Sequence, residues 1–229
     1  MTDMHIEKIV LETKKIKQLV SFYKDVLGVK IIAQSSTFFA MEIGQTIVEF
    51  IATQAPEEPY YHVAINIPSN KFAEAKQWAK QLVELTWEDG QDEIIFDSWH
   101  AKSCYFDDPA GNIIELISKE KLNRPSFETF SAQSFIDVSE IGLIVTDVEK
   151  VGKQLIAEGI LRNDEGEISM SNLNFMGLSS VGVYLILSKP GRRWIFSTKK
   201  SAVYPLSITL DNNRIIDVLQ DGRVVMSKQ

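Results

Sequence analysis

An α+β fold assembled from repeated βαβββ modules is predicted by three observations. A strand-like opening recurs as Lys8-Ile-Val-Leu-Glu-Thr, His62-Val-Ala-Ile-Asn-Ile and Glu140-Ile-Gly-Leu-Ile-Val. After each opening comes an amphipathic run of helical spacing. Each copy then closes on an apolar strand: Thr46-Ile-Val-Glu49-Phe-Ile, Asn112-Ile-Ile-Glu115-Leu-Ile and Val183-Tyr-Leu-Ile-Leu. Internal copies constrain a fold strongly, because each unit needs a neighbour to bury its apolar face. A truncated fourth copy follows, since Tyr204-Pro-Leu-Ser-Ile-Thr-Leu-Asp-Asn-Asn lines up with Tyr61-His-Val-Ala-Ile-Asn-Ile-Pro-Ser-Asn.

The helices are read from the three-and-four spacing of apolar residues. In the first, Ile16, Leu19, Tyr23, Val26 and Leu27 share a face, Thr13 is placed to cap the start, and Gly28 suits the left-handed residue past the end. The second carries Phe72, Ala75, Ala79 and Leu82, with Ser69 or Asn70 as cap. In the third, Thr146-Asp-Val-Glu149 reads as a capping box before Val148, Val151 and Leu155, and Gly159 ends the run. Near the C-terminus, Asp221-Gly222 between two apolar segments predicts a hairpin turn.

A chain of 229 residues with 45% hydrophobic content can bury an ordinary core. The net charge of −7 without a basic stripe argues against nucleic acid and anionic membranes as partners. The polar N-terminus does not read as a signal peptide, and no apolar run approaches a membrane span. A single cysteine, Cys104, excludes an internal disulfide and points to the cytoplasm. The expected division is a module pair over 1–118, a polar linker over 119–136, and the third copy with C-terminal strands over 137–229.

Phe22-Tyr-Lys-Asp-Val-Leu-Gly28, together with Tyr105-Phe-Asp-Asp-Pro-Ala-Gly-Asn-Ile-Ile-Glu115-Leu, resembles the module signatures of the vicinal oxygen chelate superfamily. That superfamily includes glyoxalase I, fosfomycin-resistance thiol transferases, extradiol dioxygenases and bleomycin-binding proteins. The first two copies, about half the chain, carry the resemblance. It implies that paired βαβββ modules curl their sheets into one open, U-shaped, glyoxalase-like cleft, and it makes a homodimer the expected assembly. It also implies metal ligands on the first and last strand of each module, which fall here on Lys8, Glu49, His62 and Glu115.

An imidazole and two carboxylates suit a divalent cation such as Fe²⁺, Mn²⁺, Ni²⁺ or Zn²⁺, so Glu49, His62 and Glu115 form the candidate metal set. A protonated lysine has no lone pair to donate, and Lys8 therefore argues for a degenerate site without metal. Glu140 and Leu185 occupy the corresponding places in the third copy, from which a site of this type is not expected there. Glu115 and His100 are the candidate proton-transfer residues, His100 because its loop borders the ligand cleft in the resembled family. Read without the repeats, His100 is an exposed loop residue, and an isolated glutamate in a strand simply faces solvent. Cys104, flanked by aromatics, reads as core. Arg192 and Arg193 are basic residues of a solvated turn that can hold an anion, and Trp99 is the tryptophan expected beside a cleft for a flat ligand. Three functions follow from the resemblance: a degenerate, bleomycin-resistance-like protein that binds a small organic molecule, a metal-dependent lyase, isomerase or ring-cleaving dioxygenase using His62, Glu49 and Glu115, or a scaffold in a larger assembly whose site is vestigial.

Overall fold

The computed structural model describes residues 4–228. Module one comprises β1 (Ile6–Thr13), α1 (Ile16–Ser21), β2 (Ile31–Gln34), β3 (Phe38–Ile43) and β4 (Thr46–Ala52). Module two comprises β5 (His62–Ile67), α2 (Phe72–Leu82), β6 (Ile94–Phe96), β7 (Ala101–Asp107) and β8 (Ile113–Lys119). The third copy has β9 (Asp137–Ile144), α3 (Val148–Ala157), β10 (Asn174–Met176) and β11 (Tyr184–Ser188), one strand fewer. The fourth keeps only β12 (Leu206–Leu210), β13 (Arg214–Val218) and β14 (Val224–Lys228), with a short 3-10 turn at Asp211–Asn213 in place of a helix. The Asp221-Gly222 turn joins β13 to β14 as a hairpin.

Two seven-stranded sheets result. Sheet one has the order β14-β13-β12-β1-β4-β3-β2, and sheet two has β10-β11-β9-β5-β8-β7-β6. Each opening strand pairs parallel with the last strand of its own module, β1 with β4 and β5 with β8. Its other edge is taken by a later copy: β12 lies antiparallel on β1 and β9 antiparallel on β5. The paired, curled βαβββ modules expected are present, with module two paired to module three and module one to the C-terminal strands rather than to each other. The pairings match apolar rows, Ile9 with Ile208, Leu11 with Leu206 and Val63 with Ile141. Because neighbouring residues of a strand alternate in facing, these rows turn into one core shared by both sheets and the helices. Ile9, Leu11, Phe50 and Leu19 from one side meet Ile65, Leu116, Leu143 and Leu155 from the other.

Polar and backbone contacts lock the two halves. The buried Tyr23 hydroxyl donates to Asp108 Oδ2 at 2.9 Å, and the Tyr61 hydroxyl donates to the Pro205 carbonyl at 2.7 Å. Gly44, in the turn between β3 and β4, has φ +55° and presses so closely on the Ile136 carbonyl that an added Cβ would lie 1.9 Å from its oxygen. Gln45 N donates to the same carbonyl at 2.8 Å.

The helices form where the spacing predicts, with corrections at their ends. After Ser21 the first helix widens into a π turn over Phe22–Val26, which keeps Tyr23 and Leu27 buried but rolls Val26 outward to 39% exposure. Neither Ser69 nor Asn70 caps α2: the N-cap position falls on Lys71, and the Asn70 side chain is bonded to the Ser126 backbone. In α3 the cap is Asp147, whose Oδ1 accepts from Lys150 N at 3.0 Å, rather than Thr146. Glu149 is drawn instead to Lys153 at 2.5 Å. Residues 119–136 lack strand and α-helix over most of their length, yet Phe130 and Phe135 are buried edge-on against Trp78, at 5.4 and 5.9 Å. Among the described residues, no helix is long and apolar enough to cross a membrane.

Candidate functional site

The face of sheet two turned away from the shared core carries a buried cluster of polar side chains. Ala64 of β5 is opposite Glu115 of β8 on one edge and Glu140 of β9 on the other, so both carboxylates flank the strand that bears His62. His62 Nε2 lies 3.0 Å from Glu115 Oε2. All three side chains are buried. Above them is a cleft of about 530 Å³ walled by Phe96, Trp99, Tyr105, Phe175 and Trp194. Trp99 meets Phe175 edge-on with ring centroids 4.6 Å apart.

A strap formed by residues 189–201 closes one side. Its Trp194 indole stacks on His62 at 4.7 Å and 13°. Gly142 makes this possible, because a Cβ there would come within 3.1 Å of the indole. Phe196 stacks on Tyr105 at 5.0 Å. Glu88 anchors the strap by pairing with Arg193 and accepting from Phe196 N at 2.5 Å. The Arg193 hydrogen bond and the Phe196 amide hold the Glu88 carboxyl below its ordinary value.

Burial, then the charge of Glu115, pushes the Glu140 carboxyl up to about 7, with Lys119 and His62 opposing. Lys119 is itself buried; its ammonium donates to Ser139 Oγ and the Gly182 carbonyl and lies 3.8 Å from Glu140 Oε1. Burial pulls the Lys119 amine down, against the carboxylates of Glu140, Glu115 and Asp137. Desolvation, then Glu115, holds the Tyr105 phenol well above its usual range. Two atoms of this cluster, His62 Nδ1 and Glu140 Oε1, have no hydrogen-bond partner among the described residues.

The predicted site residues divide between the two sheets. Glu49 lies on sheet one, paired with Lys8 at 3.0 Å, the side chains 37% (Lys8) and 23% (Glu49) exposed. The repeat register is real, since Val10 opposes Glu49 as Ala64 opposes Glu115. What fails is convergence: the two modules lie in different sheets, so Glu49 and Lys8 do not meet His62 and Glu115. Ser207 opposes Val10 where Glu140 opposes Ala64. Glu140, set aside at the sequence level, thus joins the site because β9 pairs with β5. The residue matching Glu115 in the third copy is Ile186, opposite Gly142, rather than Leu185. The ammonium near the carboxylates is Lys119, not Lys8; Lys119 was legible as the fourth residue beyond Glu115 on one strand face.

His100 is exposed in a left-handed turn with φ +48°, its Nε2 2.7 Å from Lys121 Nζ. It borders a separate depression with Asn70 and Phe72, and only its neighbour Trp99 reaches the cleft. Arg192 and Arg193 stand at the cleft, but Glu88 occupies Arg193 and the Arg192 guanidinium donates to the Ser171 carbonyl at 3.3 Å. Cys104 is fully buried, which pushes its thiol up to about 12 and makes it inert.

In type, one imidazole and two carboxylates are good donors for a divalent cation. Their arrangement does not fit one. No three His, Cys, Asp or Glu side chains among the described residues gather as a metal cluster. His62 Nε2 and Glu115 Oε2 face each other, and the Lys119 ammonium stands 3.8 Å from the free Glu140 oxygen, where it would repel a dication.

Comparison with known proteins agrees with this architecture. Residues 5–116 match the model of the Glyoxalase/Bleomycin resistance protein/Dioxygenase superfamily, and residues 138–192 match that of the toxoflavin-degrading enzyme. The metallothiol transferases FosB of Staphylococcus haemolyticus and Staphylococcus epidermidis are each 28% identical over 127 residues, covering 53% of this chain and 88% of theirs. A solved structure of a proposed dioxygenase from Bacillus subtilis covers 98% of this chain and 84% of its own with a TM-score of 0.60. At 15% identity that likeness speaks for the fold alone. The repeated modules, the twin strand registers and the matched family model together mean that residues 5–116 of this chain belong to the glyoxalase/bleomycin resistance protein/dioxygenase superfamily.

Proposed function

We propose that this chain binds a small, flat organic molecule in the sheet-two cleft, over a floor of His62, Glu115 and Glu140 that works without a resident metal. The observation that carries the reading is the aromatic-walled cleft of about 530 Å³, a size suited to a small ligand, set directly above that polar floor. Trp99, Phe175 and Trp194 supply π faces; His62 and Glu115 supply a buried proton-sharing pair. Sheet one would be the degenerate half, its Lys8–Glu49 pair neutralising the position where a ligand would have been held. Homodimer formation belongs to the same reading, on family grounds.

Tryptophan fluorescence tests it, because Trp99 and Trp194 line the cleft and Trp78 and Trp87 do not. Neutral bicyclic aromatics such as quinoline are expected to quench the wild type saturably, and Trp99→Phe and Trp194→Phe to lose most of that response. Unsaturable quenching that both variants retain would remove the cleft as the binding site. A metal-dependent enzyme is the competing reading. Protein loaded anaerobically with Fe²⁺, Mn²⁺, Ni²⁺ or Zn²⁺ and then desalted is expected to hold less than one equivalent by elemental analysis. One full equivalent, lost in His62→Ala, would establish the metal reading instead.

A further inference from the structure

We infer that the floor of the cleft recognises a cationic, hydrogen-bond-donating edge of its ligand, such as an amidine, a guanidine or a protonated amino-heterocycle, through the free Oε1 of Glu140 beside Glu115. This rests on the cleft reading above and adds the chemistry of the occupant. Glu140 is only 4% exposed, lines the cleft, and keeps one oxygen without a donor. A buried acceptor left unmet is unfavourable, and a ligand N–H directed at it removes that penalty. Among the described residues the ammonium paired with Glu140 is that of Lys119, and it cannot serve, since it is committed to Ser139 and Gly182 and remains 3.8 Å away.

Charge points the same way. Glu115 is met by His62 at 3.0 Å, whereas Glu140 has only the Lys119 ammonium at 3.8 Å, and a cation brought to its unmet oxygen is felt strongly where water is excluded. At the mouth, Glu88 neutralises Arg193, which leaves Arg192 as the one unneutralised cation lining the cleft among the described residues. The walls complete the match, because Trp99, Phe175 and Trp194 present aromatic faces and a planar cation is attracted to such faces. A planar ring carrying two N–H donors on one edge therefore suits both walls and floor.

Three probes sharing one ring separate the possibilities: benzamidine, benzoate and benzonitrile, titrated calorimetrically into the full chain. Benzamidine is expected to bind at least tenfold more tightly than either of the others. Glu140→Gln should weaken benzamidine at least tenfold and leave benzonitrile unchanged, which also reports that the variant is folded. Benzoate or benzonitrile binding as tightly as benzamidine in the wild type would overturn the inference whatever the variant does, while leaving the cleft intact. So would equal benzamidine affinity in Glu140→Gln. Displacement of benzamidine by stoichiometric Mn²⁺ or Zn²⁺ would assign the floor to a metal and overturn it as well. If none of the three binds, the cleft reading falls together with this one.

Discussion

Glu140 and Asp108 are buried carboxyl groups whose environments oppose charge, and the consequence is a pH-dependent stability. Burial raises Glu140 from 4.5 to about 7 and Asp108 from 3.8 to about 6. A raised carboxyl binds its proton more tightly in the folded chain, so its stabilising share is complete below the unfolded value and disappears as pH climbs through the folded one. Both groups thus make the protein lose stability between about pH 4 and pH 7. Carboxyls held below their ordinary values, such as Glu88 and Asp92, act in the opposite sense, so the test is a difference: as pH rises across that window, the urea midpoint of Glu140→Gln should gain on that of the wild type, and a constant difference would contradict the assignment. Asp108 also accepts the Tyr23 hydroxyl at 2.9 Å. Tyr23→Phe removes that buried donor and should cost about 1–3 kcal/mol in chemical denaturation.

Ends and turns decide how the elements sit. Asp147 is the side chain that satisfies the first turn of α3, through Lys150 N. Asp147→Ala should therefore lower stability by about 1 kcal/mol, and Thr146→Ala by less, since Thr146 reaches only the Gly222 carbonyl, at 3.5 Å. Equal losses would restore the capping-box role of Thr146. The β3–β4 turn is a stricter case. Gly44 combines a left-handed backbone with a backbone oxygen 1.9 Å from any added Cβ, and neither partner is a flexible side chain. Gly44→Ala should lower stability by at least about 2 kcal/mol, read as a drop in the thermal midpoint. A midpoint within a degree or so of wild type would show that this close approach is not maintained.

At the scale of the molecule, the order of strands is the feature with the widest consequences. β1 needs β12 and β5 needs β9, each more than seventy residues away in sequence. A fragment ending at residue 136 keeps the segment matched to the superfamily model but leaves the inner edges of β1 and β5 bare. Bare edges pair with whatever strand they meet. That fragment should not unfold cooperatively as a monomer; size-exclusion chromatography with urea denaturation is expected to show an associated or poorly cooperative species. A monomeric, cooperative fragment would mean that modules one and two can close on each other.

Local patterns told much of this in advance. Phe72, Ala75 and Ala79, like Val148, Val151 and Leu155, announced their helices because a buried stripe demands that spacing. Glu49 and Glu115 announced a common register for the same reason: alternation along a strand is a local rule. The π turn that exposes Val26 and the loss of Ser69 and Asn70 as caps were hidden, because each depends on contacts with other parts of the chain. The partner of each opening strand was hidden too. Lys8, His62 and Glu140 lie on strands of similar apolar patterning, so any could pair with any, and only the packing of two whole sheets on one core selects among them. That selection brought Glu140 beside the strand of His62 and left Glu49 with Lys8 in the other sheet. The sequence by itself determined the module, its helices and the facing of its polar residues; tertiary structure decided which of those residues share a site, because strand pairing is set by long-range complementarity that no short stretch of chain contains.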